Sequence, residues 1–281
     1  IIVKGARTNL TADTLVRKVS NSLLFKTALY GSDPNWGRII ASVGATQINY
    51  IDQNKIDIYI DKIKIVKKGE ANSNLAIARK IMRKKAVFLD RDGVINDLVF
   101  YPEEGMIDSP NSPKQFKLIN GVGEALTQLK KMRFLLILIS NQPGIAKGKY
   151  NLGEFNKIKQ KMEKSLKQCG IILDGQYYCL HHPIATVLKY KKKCKCRKPQ
   201  NKMILDAIKD YDIDLTKSFV VGDGLVDMQL AQNSKCRGIF IGNINSTTNK
   251  LFLEKKIEPH YIAYDLLEAA NYIKDLEHSN M

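Results

Sequence analysis

Two aspartates spaced i, i+2 close the apolar run Lys85-Ala86-Val87-Phe88-Leu89-Asp90-Arg91-Asp92-Gly93-Val94. Carboxylates so placed either bind a cation or divide nucleophilic and acid/base work between them. Taken alone, the pair reads equally well as a strand followed by a polar turn. Three later groups weigh against that. Ser140-Asn141-Gln142-Pro143-Gly144 offers a hydroxyl, an amide and glycine-loosened backbone N–H groups, a fit for phosphoryl oxygens. Arg197-Lys198-Pro199 puts two cations before a helix, and Gly222-Asp223-Gly224-Leu225-Val226-Asp227 adds carboxylates that could also cap one. A second chemistry is written in Cys179-Leu180-His181-His182-Pro183 and Cys194-Lys195-Cys196. Cys179, His181, Cys194 and Cys196 would make a closed tetrahedral Zn²⁺ site of structural type. His182 competes with His181, which is preferred. Free thiols in a loop are the alternative, but a loop this long needs something to order it.

These groups must be positioned by strands and helices that alternate, the pattern of a parallel sheet covered on both faces. Strands are expected at Ala86–Leu89, Phe134–Ile139, Gln176–Tyr178, Phe219–Val221 and Gly238–Ile241. Helices are expected over 120–131, 151–168, 202–210, 225–232 and 265–276. Asp90, Ser140 and Asp223 then all follow strand ends, where open α/β sheets carry out their chemistry. Tyr101 to Phe116 receives no role. Before residue 84 the pattern differs. Thr11 can cap a helix through Leu24 with Leu15, Val19 and Leu23 on one face, and helices over 36–43 and 72–85 are expected. Ile56, Ile58, Ile60, Ile63 and Ile65 alternate as strands do. Residues 1–83 are thus expected to form a small α+β unit, and 84–281 a separate α/β domain with no Gly/Pro/Ser linker between them.

The chain has 281 residues, 44% hydrophobic, and a formal charge of +17. No run reaches membrane-span length and no signal peptide opens the sequence, so a cytoplasmic protein without membrane attachment is expected. Ile1 is not an initiator, so a processed or truncated start is expected. The five cysteines point to thiols or metal ligands and not to a disulfide framework. The charge could attract nucleic acid, which makes a zinc-containing nucleic-acid-binding module the reading from another class. Against it, Tyr190 is the only ring in the basic run 189–198, so no stacking platform is visible.

Asp90-Arg91-Asp92-Gly93, Ser140, Lys198 and Gly222-Asp223 match, in order, the four motifs of the haloacid dehalogenase-like phosphatases. The resemblance implies a Rossmann-like parallel sheet, Asp90 as nucleophile and Asp92 as acid/base. It further implies Ser140 and Lys198 on the phosphoryl oxygens and Mg²⁺ held by Asp90, the Asp92 carbonyl and Asp223. Asp227 would support a bound water or Lys198. The Cys-x-His-His-Pro and Cys-x-Cys-Arg-Lys-Pro strings resemble the D-glycero-D-manno-heptose 1,7-bisphosphate phosphatases, with the histidinol-phosphate phosphatases close by. By that resemblance Arg197 reads the substrate, Ser140, Asn141, Gln142 and Pro143 line the site, and Zn²⁺ fixes the loop carrying Arg197 and Lys198. Gly224 stands where some heptose enzymes carry a lysine. The implied partner is a small phosphorylated metabolite, turned over by a monomer.

Lys26-Thr27-Ala28-Leu29-Tyr30-Gly31-Ser32-Asp33-Pro34-Asn35-Trp36-Gly37-Arg38-Ile39, with Val3 to Ala6 and Lys55 to Ile60, resembles the C-terminal half of the ornithine acetyltransferase (glutamate N-acetyltransferase) family of arginine biosynthesis. That family's threonine nucleophile has no counterpart here. A fragment is expected, with residual acetyltransferase function as the alternative.

Overall fold

The computed structural model describes residues 1–279; residues 280 and 281, the last two of the expected second domain, lie outside the described residues. The chain separates into two compact units, Ile1–Lys84 and Lys85–Met281.

In the first unit, α1 (Asn9–Asn21), α2 (Leu23–Tyr30) and α3 (Trp36–Gly44) precede a small antiparallel sheet. The sheet holds β1 (Ile58–Ile60), β2 (Ile63–Lys67) and β3 (Glu70–Ala71), and α4 (Leu75–Met82) follows. The single helix expected from Thr11 is two. Thr8 caps α1 by accepting the Thr11 amide at 3.1 Å. Ser22 then turns extended, and its hydroxyl accepts the Phe25 amide to start α2. A serine that can cap locally competes with helix continuation, so the break falls there. Leu23, expected on the buried face with Leu15 and Val19, is 78% exposed as a result.

The second unit is built on a six-stranded, all-parallel sheet. Its strands are β4 (Ala86–Leu89), β7 (Leu135–Asn141), β8 (Gly175–Cys179), β9 (Phe219–Gly222), β10 (Arg237–Ile241) and β11 (Tyr261–Ala263). They lie in the order β11-β10-β9-β4-β7-β8. Side chains alternate between faces. Val87, Leu89, Leu136 and Leu138 pack under α5 (Val122–Lys131), α6 (Leu152–Gln168) and α10 (Leu266–Ser279). Ala86, Phe88, Ile137 and Ile139 pack under α7 (Lys202–Tyr211) and α8 (Leu225–Ser234). With both faces covered, β4 is buried at every residue. This is the expected α/β Rossmann-like sheet, and β4 sits in its middle.

A hairpin, a helix and an edge strand went unforeseen. Val99–Tyr101 (β5) and Met106–Asp108 (β6) form a hairpin that overlaps the start of the stretch left without a role, Tyr101 to Phe116. Lys149 fastens it with ion pairs to Asp108 at 2.9 Å and Glu104 at 3.2 Å. Helix α9 (Ser246–Glu254) and edge strand β11 extend the sheet side beyond Ile241. Strands of three residues are too short to show a period.

Candidate active site

Asp90 follows β4 directly, its amide donating to the Val221 carbonyl of neighbouring β9 at 3.0 Å. The cross-strand bond fixes the Asp90 backbone between the two central strands. Its Oδ1 lies 2.8 Å from Lys198 Nζ, and Lys198 reaches Asp227 Oδ1 at 2.6 Å. Lys198 and Asp227 are both buried. Burial by itself would lower the Lys198 ammonium, but the Asp227 and Asp90 charges outweigh it and hold it above its ordinary value.

Asp223 completes an acidic cluster in which Asp90, Asp223 and Asp227 each bring an oxygen within 4.8 Å of the others. Burial, with the charges of Asp90 and Asp227, pushes Asp223 up to about 8. Burial raises Asp227 to about 6 despite Lys198. Two glycines let these acids approach. A Cβ on Gly93, which has φ +77°, would stand 2.0 Å from Asp223 Oδ2. One on Gly222 would stand 2.3 Å from the Asp227 side chain. Asp227 also accepts from the Gly224 amide at 3.2 Å, at the start of α8. The cluster holds more anion than Lys198 offsets, and oxygen donors around a deficit of positive charge suit a hard divalent cation such as Mg²⁺.

Asp92 points into a different set of partners. Its Oδ1 accepts from Arg91 Nη2 at 2.9 Å and Asn96 Nδ2 at 3.0 Å, and its Oδ2 accepts from Gln142 Nε2 at 2.6 Å. Arg91, Asn96 and Gln142 are all fully buried. Ser140, at the end of β7, is 1% exposed and hydrogen-bonded to Gln142 Nε2 at 2.9 Å.

Two expected site contacts take another form. The Asn141 amide is occupied by the Lys198 backbone: Oδ1 accepts from Lys198 N at 2.9 Å and Nδ2 donates to Lys198 O at 3.3 Å. It thereby seats Lys198 instead of facing outward. Gln142, expected to line the substrate site, has no exposed surface. Pro143 opens a turn closed by Lys147 N at 2.9 Å. Arg197 is half-buried, its Nη1 3.5 Å from the His181 carbonyl. The jobs of Arg91, Asn96 and the Asn141 amide were not legible in the sequence, because each depends on a through-space neighbour.

The Cys/His loop gathers the four expected residues. Cys179, His181, Cys194 and Cys196 bring their donor atoms within 4.8 Å of one another. The three sulfurs lie 3.3 to 3.5 Å apart, and His181 Nδ1 is 3.5 Å from Cys196 Sγ. His182 instead bonds Ile184 through its own Nδ1. Burial drives the Cys179 and Cys196 thiols up. At Cys194 burial also opposes ionisation, but hydrogen bonds from Cys196 and Cys179 win and lower it. Four soft sulfur and imidazole donors gathered this closely fit Zn²⁺.

Among the described residues, no helix is long and apolar enough to cross a membrane. The ArgJ family model matches residues 1–92, running past Lys84 and through β4 to Asp92, and the HAD-hydrolase-like family model matches residues 195–269. The D-glycero-beta-D-manno-heptose-1,7-bisphosphate 7-phosphatase of Photorhabdus laumondii is 49% identical over 150 residues, 53% of this chain and 76% of the relative. That of Pasteurella multocida is 38% identical over 194 residues, covering 69% of this chain and 99% of the relative. A solved structure of D,D-heptose 1,7-bisphosphate phosphatase from B. bronchiseptica, complexed with magnesium and phosphate, superposes with a TM-score of 0.56 at 29% identity. It covers 68% of this chain and 99% of its own. With that identity across nearly the whole of such relatives, the chain belongs to the D-glycero-beta-D-manno-heptose-1,7-bisphosphate 7-phosphatase family.

Proposed function

We propose that this chain is a Mg²⁺-dependent phosphatase that removes the 7-phosphate of D-glycero-β-D-manno-heptose 1,7-bisphosphate through an aspartyl-phosphate. The observation that carries it is the convergence of Asp90, Lys198, Asp223 and Asp227 at the ends of β4 and β9, in a chain with family relatives of that activity. Asp90 attacks phosphorus and the P–O bond to the sugar breaks. Asp92 gives its proton to the leaving oxygen. Asp92, now a carboxylate, takes a proton from the water that attacks the phosphoryl-enzyme, and Asp90 is released with inorganic phosphate. Lys198, kept charged by its two carboxylates, and the Ser140 hydroxyl offset the charge on the phosphoryl oxygens. Mg²⁺, held by Asp90, the Asp92 carbonyl and Asp223, would supply positive charge that lets an anionic nucleophile meet an anionic substrate. Zn²⁺ in the Cys/His set would hold the loop that carries Arg197 and Lys198, and Arg197 would contact the sugar phosphate.

Phosphate release from the heptose bisphosphate, histidinol phosphate and a 3′-phosphorylated oligonucleotide tests the substrate. Fastest release from the first is expected. No turnover of the heptose bisphosphate, with turnover of histidinol phosphate, would transfer the reading to that substrate.

A further inference from the structure

Gln142 stands between two groups with different tasks. Its Nε2 carries two hydrogens, and both are used, one on Asp92 Oδ2 at 2.6 Å and one on Ser140 Oγ at 2.9 Å. Because Ser140 accepts from Gln142, its own hydroxyl proton is left to donate elsewhere. The other end of the amide is held too, since Tyr150 donates to Gln142 Oε1 at 3.3 Å. The backbone is fixed by the bond from Gln142 N to the Cys179 carbonyl at 2.7 Å. Gln142 is fully buried, and its side-chain amide is wholly taken up by Asp92, Ser140 and Tyr150.

Arg91 and Asn96 also hold Asp92, but they belong to its own loop and travel with it. Gln142 comes from the end of a different strand, β7. It alone among these three sets the distance between the β4 loop and the phosphoryl-binding hydroxyl of Ser140.

We infer that Gln142 is a positioning residue, which aims the Ser140 hydroxyl proton at the phosphoryl group and registers Asp92 against the same group. The inference rests on the phosphatase reading, with Asp92 as acid and base. Without Gln142, Asp92 is misplaced for giving a proton to the leaving oxygen and for taking one from water.

Two substrates of unequal leaving group expose that role. A sugar phosphate leaves as an alkoxide and needs the proton; p-nitrophenyl phosphate leaves as a stable phenolate and does not. Gln142→Met of the full chain is expected to lower kcat on the heptose bisphosphate by about 100-fold while KM stays within about twofold. On p-nitrophenyl phosphate the same variant is expected to release one equivalent of p-nitrophenol in a burst and then turn over slowly. The aspartyl-phosphate then accumulates, since water activation still needs Asp92. Gln142→Glu, close in shape, gives the same contrast should the Met variant not fold. A raised KM with kcat retained would make Gln142 a substrate contact and overturn the inference. An equal loss on both substrates without a burst would overturn it as well. Wild-type turnover of p-nitrophenyl phosphate but not of the heptose bisphosphate sinks the substrate assignment alone, and the burst still decides Gln142. Turnover of neither overturns both.

Discussion

The acidic cluster and the Cys/His cluster each gather side chains that can hold a cation, but they are assembled differently. Asp90 leaves the end of β4 and Asp223 and Asp227 follow β9, so that cluster exists only once distant segments have paired. Cys179 ends β8, and His181, Cys194 and Cys196 lie in the one loop that follows it, so that set needs little beyond a strand end and its loop. The acidic cluster contains its own cation, Lys198, which contacts two of the three acids and leaves a surplus of negative charge for a divalent cation to offset. The Cys/His set has four donors and is complete in itself. The site proposed for chemistry is thus held in electrostatic tension, and the site proposed for structure is closed.

The sharpest way to separate the two is to remove one member of each. Asp90→Asn is expected to lower kcat by about 10³-fold or more, as loss of a nucleophile does, while the melting temperature holds or rises. Phosphate release and a thermal melt on the same sample check it; retained turnover would take the nucleophile's role from Asp90. Cys196→Ser is expected to do the reverse, losing one equivalent of zinc and about 10 °C of melting temperature. Metal analysis beside calorimetry reads it, and a wild-type chain purified without zinc would break the comparison.

A subtler effect follows from the tension itself. Folding raises Asp223 from 3.8 to about 8, through burial and then the Asp90 and Asp227 charges. A carboxyl raised in this way favours the fold while protonated, and that contribution is lost as pH climbs through its folded value. Metal-free protein should therefore lose stability between about pH 4 and 8, and the melting shift given by Mg²⁺ should grow over the same window. A Mg²⁺ shift that is flat with pH would detach the ion from Asp223. The smallest change concerns the hairpin. Lys149→Ala removes its two partly exposed ion pairs, and a urea titration should show a loss of about 1 kcal/mol or less.

How much of this is legible in the sequence follows the same division. The Cys/His set could be read because spacing and chemistry lie in one short stretch, and only the choice between His181 and His182 needed geometry. The central strands could be read because burial on both faces leaves nearly continuous apolar runs such as Ala86–Leu89. The order of the acids along the chain pointed to their convergence. What neither period nor spacing carries is the internal side of the site. Gln142 and Asn141 look like residues for a ligand, yet one binds Asp92 and Ser140 and the other binds the Lys198 backbone. Thr8 in place of Thr11 as the cap of α1 is the same kind of miss, because both can cap and local context decides.

The position of β4 in the sheet also governs the order in which the protein can come together. Phe88 is paired on one side with Ile137 and on the other with Val220. During synthesis from the N-terminus, the first neighbour emerges well before the second. Until Phe219–Gly222 is available, the β4–β7–β8 half-sheet presents an open edge at β4, with apolar faces and unpaired backbone groups. Such an edge templates aggregation, and pairings this distant in sequence form slowly. Chains cut before Phe219 should therefore precipitate as they are made, because the strand that leads to Asp90 stays open on one side until β9 has been made.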